Sequence, residues 1–216
     1  MNDIQQLWEN NIRKKFDAFQ DLLEGLDYNL FQTPYKPNPD LLIININRNP
    51  ESYNDASTFD SPTNIYTQGK KGGEKEPVNE LICNLFGYER NEKLWEVLEN
   101  AVGMNYMYFN ESALRNMADT HLQKDIKAAC LQYTRLMIDE YICPKNILAI
   151  SSDVFASIKN SKREDTVRWG LAYILKSFRN QTPVYYLHDP SKRLYLLKKE
   201  SNIKEHNSLL EYVFCS

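Results

Sequence analysis

A single α/β domain, built as a three-layer α/β/α sandwich around a central parallel sheet of about four strands, is what this 216-residue sequence predicts. Three features lead there. Short apolar runs alternate with longer amphipathic stretches, the pattern that right-handed strand–helix–strand crossovers require. Each apolar run ends abruptly in small polar residues. No internal repeat and no clear linker divides the chain, so residues 1–216 read as one domain.

The elements follow in order. Ile4, Trp8, Ile12, Phe16, Phe19 and Leu23 recur every three or four residues, which predicts a helix over 3–25 with Asn2 or Asp3 as cap and Gly25 as stop. Leu41, Leu42, Ile43 and Ile44 form a continuous apolar run inside a first strand at 40–46. Residues 47–76 are a long polar loop running into "TQGKKGGEKEP", a length typical of functional lids or disordered segments. Pro77 and Gly87 frame a short helix, "PVNELICNLFG". Another helix runs from Asn91 to Ala101, with Leu94, Trp95, Leu98 and Ala101 on one face.

"MNYMYFN", 104–110, reads as a second strand. A long helix over 122–142 turns Ile126, Ala129, Cys130, Tyr133, Met137 and Tyr141 inward. "KNILAIS", 145–151, is a third strand, and Ser152 or Asp153 caps the short helix after it. The spacing of Val167, Leu171, Ile174, Leu175 and Phe178 predicts a helix over 164–179. "PVYYLH", 183–188, is a fourth strand, and a short "LYLL" and a helix from about Asn202 close the chain.

Charge is unevenly placed. Residues 1–140 carry 14 Lys and Arg against 22 Asp and Glu, whereas residues 141–216 carry 12 against 7. An acidic whole excludes a general nucleic-acid glue. A basic C-terminal third fits either a local phosphate-binding face or an ordinary solvated surface. Cys83, Cys130, Cys143 and Cys215 show no C-x-x-C spacing, and the first three lie in apolar helical patterns where cysteine acts as a small hydrophobe. Neither a disulfide framework nor a zinc site is expected. "MNDIQQLWEN" lacks the features of a signal peptide, and no apolar stretch approaches membrane-spanning length, so the expected compartment is the cytoplasm.

In open α/β sheets, ligands bind in the crevice beyond the carboxyl ends of the strands. The four ends here are "NINRNP", "FNESALRN", "SSDVF" and "HDPSKR". They supply asparagines, a histidine, serines and arginines, with few carboxylates and no metal set. Asparagine presents a donor beside an acceptor, which suits the edge of a base. Histidine can donate to oxygen charge that develops in a transition state, and arginine can hold phosphate. The combination points to a nucleobase or nucleotide pocket.

Four stretches, "LLIININRNP", "NYMYFNESALRN", "YICPKNILAISSDVF" and "PVYYLHDPSKR", occur in that order between about residues 38 and 195. Their order and spacing resemble the motifs of the uracil-DNA glycosylase superfamily. In that family a first strand runs into Gly-x-Asn-Pro or Gly-x-Asp-Pro, a later strand ends in an Asn-containing segment, and a last strand ends in His-Pro-Ser or His-Pro-Ala. The resemblance implies a glycosylase-like α/β fold, DNA as partner, hydrolysis of the bond between a flipped base and its sugar, and no cofactor or metal.

It also implies roles. Asn47 would position the attacking water, Asn110 would read the edge of the flipped pyrimidine, and His188 would stabilise charge on the departing base. Phe59, Tyr53 or Tyr66 would stack on the base, and Arg193 or Lys192 would enter the duplex or hold its phosphates. Ser191 and Arg48 belong to the last and first motifs and fall among the substrate-contacting positions. The chain departs from the pattern at four places. Asn45 and Arg48 replace the first motif's glycine and proline, Asp189 is inserted after His188, and Ser151 stands where a glycine commonly ends the third strand. Side chains where a nucleotide would approach the backbone remodel such a pocket.

Other readings of the same residues stay open. Asn47 and Asn49 beside Pro50 make a good turn, Asn110 suits a helix cap, and His188 suits a structural role. A non-catalytic member of the fold would bind nucleic acid, a nucleotide or a protein, and an unrelated enzyme would use the crevice for a small molecule. "GKKGGEK" lacks the order of a phosphate-binding loop.

Overall fold

The computed structural model describes residues 3–23, 26–46, 64–67, 92–169 and 172–188. Six strands, β1 (Leu42–Ile46), β2 (Val102–Met107), β3 (Ile147–Ala149), β4 (Asp165–Trp169), β5 (Ala172–Arg179) and β6 (Thr182–His188), form one sheet in the order β2-β1-β3-β6-β5-β4. β1 pairs in parallel with β2 and β3, and β3 pairs in parallel with β6. β5 and β4 then extend the sheet by antiparallel pairing. All five residues of β1 are buried, as a central parallel strand covered on both faces requires.

One long helix, α1, starts the described chain. It comprises Asp3–Leu7, a π-type segment Trp8–Ile12 and Arg13–Leu22. α2 spans Glu92–Asn100, α3 Glu111–Arg115, α4 Thr120–Leu136 and α5 Ser152–Ile158, and α4 continues into a π-type turn, Met137–Ile142. Strand alternation sorts the sheet's side chains. Leu42, Ile44, Val102, Met104, Ile147 and Ala149 face a core that α1, α4 and α5 complete with Trp8, Phe16, Ile126, Cys130 and Phe155. Ile43, Gly103 and Asn105 face the other way, where Tyr66 lies against Gly103.

The outer edge of β2 is not open. Segment 28–33 runs antiparallel along it, with bridges Tyr28–Phe109 and Phe31–Met104. Asn29 N–H donates to Tyr108 O at 2.9 Å, and Gln32 N–H donates to Gly103 O at 2.9 Å. Pairing this edge removes a template for unwanted strand addition.

The helix expected over 164–179 is instead the β4–β5 hairpin, so the sheet has six strands, four of them parallel. The apolar spacing there fits strands as well as a helix, and Thr166, Val167, Trp169, Tyr173 and Ile174 are strand-favouring residues interrupted by Gly170. Side-chain alternation is explicit. Leu175 packs against the main core, while Lys176 lies over the rings of Phe178 and Tyr185 on the other side. Arg179 then locks the hairpin to the helical layer. Its guanidinium grips Asp139 at 2.8 and 2.5 Å and donates to Ile158 O at 3.0 Å.

Smaller differences concern caps and ends. α1 ends at Leu22, and α4 begins two residues earlier than expected because Asp119 caps it through the N–H groups of His121 and Leu122. Ser151, rather than Ser152 or Asp153, caps α5 by accepting from Val154 N–H. Cys143 is exposed in a left-handed conformation that closes the π-type turn, not part of an apolar helical face. The helix expected at 77–87, the "LYLL" segment and the C-terminal helix lie outside the described residues. Among the described residues no helix is long and apolar enough to cross a membrane.

Candidate functional site at the carboxyl edge

Because β1, β2, β3 and β6 are parallel neighbours, their carboxyl ends, at Ile46, Met107, Ala149 and His188, share one edge of the sheet. The chain passes from β1 to β2 on one side and from β3 to β6 on the other. Strand order therefore reverses between β1 and β3, the position where crevices open in such sheets.

The end of β1 is irregular. Asn45 pairs with Asn105, but the register shifts before Ile46, which pairs with Met107. Asn45 is 9% exposed, and its Oδ1 accepts from the N–H of Ile46 at 2.8 Å. The amide thus folds back on its own strand at the position where the resembled family has glycine. Irregularities of this kind re-aim side chains at strand ends.

The end of β2 leads directly into α3 through Asn110. Its Oδ1 accepts from Ala113 N–H at 3.0 Å, so Asn110 is the helix cap that its position suggested. That bond also fixes which way the amide points, because a backbone N–H needs an oxygen opposite it. Nδ2 is left buried with no partner on a residue only 7% exposed. The cap and the base-reading role are therefore compatible: one end of the amide holds the helix, and the other remains a free donor.

Behind this edge runs a chain of amides. Tyr66 Oη donates to Gln32 Oε1 at 2.9 Å, Gln32 Nε2 to Asn105 Oδ1 at 2.7 Å, and Asn105 Nδ2 to Asn29 O at 3.1 Å. This chain gives Tyr66 a structural place. Its side chain is 0% exposed and lies so close to Gly103 that a Cβ there would be 2.5 Å from Oη. The expectation that Tyr66 stacks on a base is corrected, since no face of its ring is open.

His188 is the last residue of β6, paired with Tyr173, so the backbone at this position belongs to the same edge. Asn47, Arg48, Tyr53, Phe59, Ser191, Lys192 and Arg193 lie outside the described residues. Away from the edge, His121 is exposed on α4. Burial pushes the Cys130 thiol up to about 12 and the Tyr108 hydroxyl well above its ordinary value, so both stay protonated near neutrality. Among the described residues no cluster of three His, Cys, Asp or Glu could hold a metal ion. Gln32, Asn105 and Asn29 are not among the residues expected from the sequence. Only Asn105 carried a signal, as a polar residue inside an otherwise apolar strand.

No family model, no curated protein and no solved structure matches the chain.

Proposed function

We propose that the carboxyl edge receives a base turned out of DNA, and that the protein is a three-layer, uracil-DNA-glycosylase-like enzyme that hydrolyses the bond between that base and its sugar. The observation that carries this reading is Asn110, whose cap bond commits its oxygen and leaves a buried donor free. A pyrimidine carbonyl is the complementary acceptor. The motif-bearing segments that follow adjacent parallel strands add support, as does the location of Asn110 at the carboxyl edge, after the strand next to β1.

In this reading Asn47 holds a water that attacks the anomeric carbon. The carbon–nitrogen bond breaks, its electron pair leaves with the base, and His188 donates a hydrogen bond to the oxygen that gains charge. The water oxygen remains on the sugar as a hydroxyl, and the proton it sheds ends on the departing base. Extruding the base costs a few kcal/mol, which Asn110, a stacking ring such as Phe59 or Tyr53, and phosphate contacts from Lys192 or Arg193 offset.

A second reading, binding without excision, draws on Asn45, whose amide occupies the strand end where the resembled family has glycine. Single-turnover incubation with uracil-containing oligonucleotides, followed by alkaline cleavage at abasic sites, separates the two. Cleavage that is lost in Asn47→Ala supports the glycosylase. Retention of the oligonucleotide without cleavage supports binding alone.

A further inference from the structure

We infer that Asn29 is a second base-reading residue, supplying a donor–acceptor pair to the base to whose carbonyl Asn110 donates. This deepens the reading above and rests on it for the identity of the ligand as a nucleobase. Asn29 is 6% exposed, yet neither Nδ2 nor Oδ1 of its side chain has a hydrogen-bond partner. A buried amide with both ends unpaired carries a penalty that an apolar side chain of similar size avoids. Such a residue calls for an explanation, and a ligand edge provides one.

Position agrees with that explanation. Asn29 N–H donates to Tyr108 O, its neighbour Tyr28 bridges Phe109, and Asn110 follows Phe109 in the chain. The two unpaired amides therefore belong to the same end of β2. The main chain of Asn29 is also held in place, since its carbonyl receives Asn105 Nδ2 at the end of the Tyr66–Gln32–Asn105 chain. Every link of that chain is paired, and the Asn29 side chain is where pairing stops.

The ligand chemistry follows from the three free atoms. Asn110 presents a donor of fixed direction, which requires an acceptor such as a ring carbonyl. The Asn29 amide has no bond that sets its orientation, so it fits a neighbouring ring nitrogen and exocyclic group in either polarity. Pyrimidines with a ring carbonyl meet both demands.

The test uses a free nucleoside, so it does not depend on DNA binding or excision. Side-chain amide signals of the isotopically labelled full chain are followed during titration with deoxyuridine and with the base-free sugar 2-deoxyribose, with Asn29→Ala and Asn110→Asp assigning the signals. Deoxyuridine is expected to move both amides, 2-deoxyribose neither, and Asn29→Ala to weaken deoxyuridine binding at least about 10-fold. The inference is overturned if the Asn29 signal ignores deoxyuridine, if the base-free sugar acts equally, or if Asn29→Ala binds like the parent. An Asn29→Leu protein that unfolds several degrees below the parent would also overturn it, because the amide would then be satisfied internally. Deoxyuridine binding through Asn29 with no excision from oligonucleotides removes the glycosylase reading and keeps this one. Excision unaffected by Asn29→Ala does the reverse.

Discussion

Substituting Gly103→Ala presses directly on the packing that supports the carboxyl edge. The added methyl would sit 2.5 Å from Tyr66 Oη, 2.7 Å from Cε2 and 2.9 Å from Cζ, so the ring must retreat by roughly 1 Å to restore van der Waals contact. That ring is 0% exposed and its hydroxyl is tied to Gln32, so retreat also strains the bond at 2.9 Å. Overpacking of this kind costs about 1–3 kcal/mol, and loss of the hydrogen bond adds about 1 kcal/mol. Replacing a strand glycine returns about 0.5–1 kcal/mol. The net expectation is a loss of about 2 kcal/mol, or roughly 4–8 °C for a chain of this size. Urea unfolding followed by circular dichroism, in a cycle with Tyr66→Ala, isolates the contact. Gly103→Ala should cost little once the ring is gone. An equal cost in both backgrounds, or no cost in the parent, would refute the assignment of Tyr66 to the sheet's packing.

The other predictions concern the cap, the lock and alkaline pH. Asn110→Asp keeps the cap oxygen and loses the donor, but puts a carboxylate oxygen where Nδ2 is buried without a partner, so base recognition should fall at a cost of about 1–3 kcal/mol in stability; Asn110→Ala should cost about 1 kcal/mol in chemical denaturation. Arg179→Met leaves Asp139 without its bidentate partner and Ile158 O without a donor, which should cost about 2–4 kcal/mol, below the fully buried range because Asp139 is 29% exposed. The Cys130 thiol has a folded value of about 12 against an ordinary 9.0, so the unfolded chain gives up its proton first. The contribution is intact below about pH 9 and is lost as pH rises toward 12, with a slope approaching about 1.4 kcal/mol per pH unit. Tyr108 adds in the same direction, and Cys130→Ala should flatten the alkaline limb of the stability curve. In thiol labelling mapped by mass spectrometry near pH 8, exposed Cys143 should react before buried Cys130.

How much of this was legible in the sequence depended on whether a residue's partners were local. Continuous apolar runs located β1, β2, β3 and β6 to within a few residues, because buried parallel strands need apolar residues on both faces. The hairpin was misread because Val167, Ile174 and Phe178 satisfy helical spacing as readily as strand alternation, and pairing with β6, which decides between them, is a long-range fact. Asn110 could be read both as a cap and as a ligand contact, and its geometry supports the cap while leaving Nδ2 unpaired. Tyr66 could not be assigned from sequence, since its burial depends on Gly103 and Gln32, each more than thirty residues away. Asn29 carried no sequence signal, because an unpaired amide is visible only once everything around it is paired.

The most direct test of the central claim compares the parent protein with Asn110→Asp in single-turnover cleavage of a uracil-containing oligonucleotide, under conditions where both are folded. The parent is expected to excise uracil and the variant to lose about 100-fold or more, the effect of removing one aimed donor from a buried site. Equal rates, or no excision by folded parent protein, would contradict that claim.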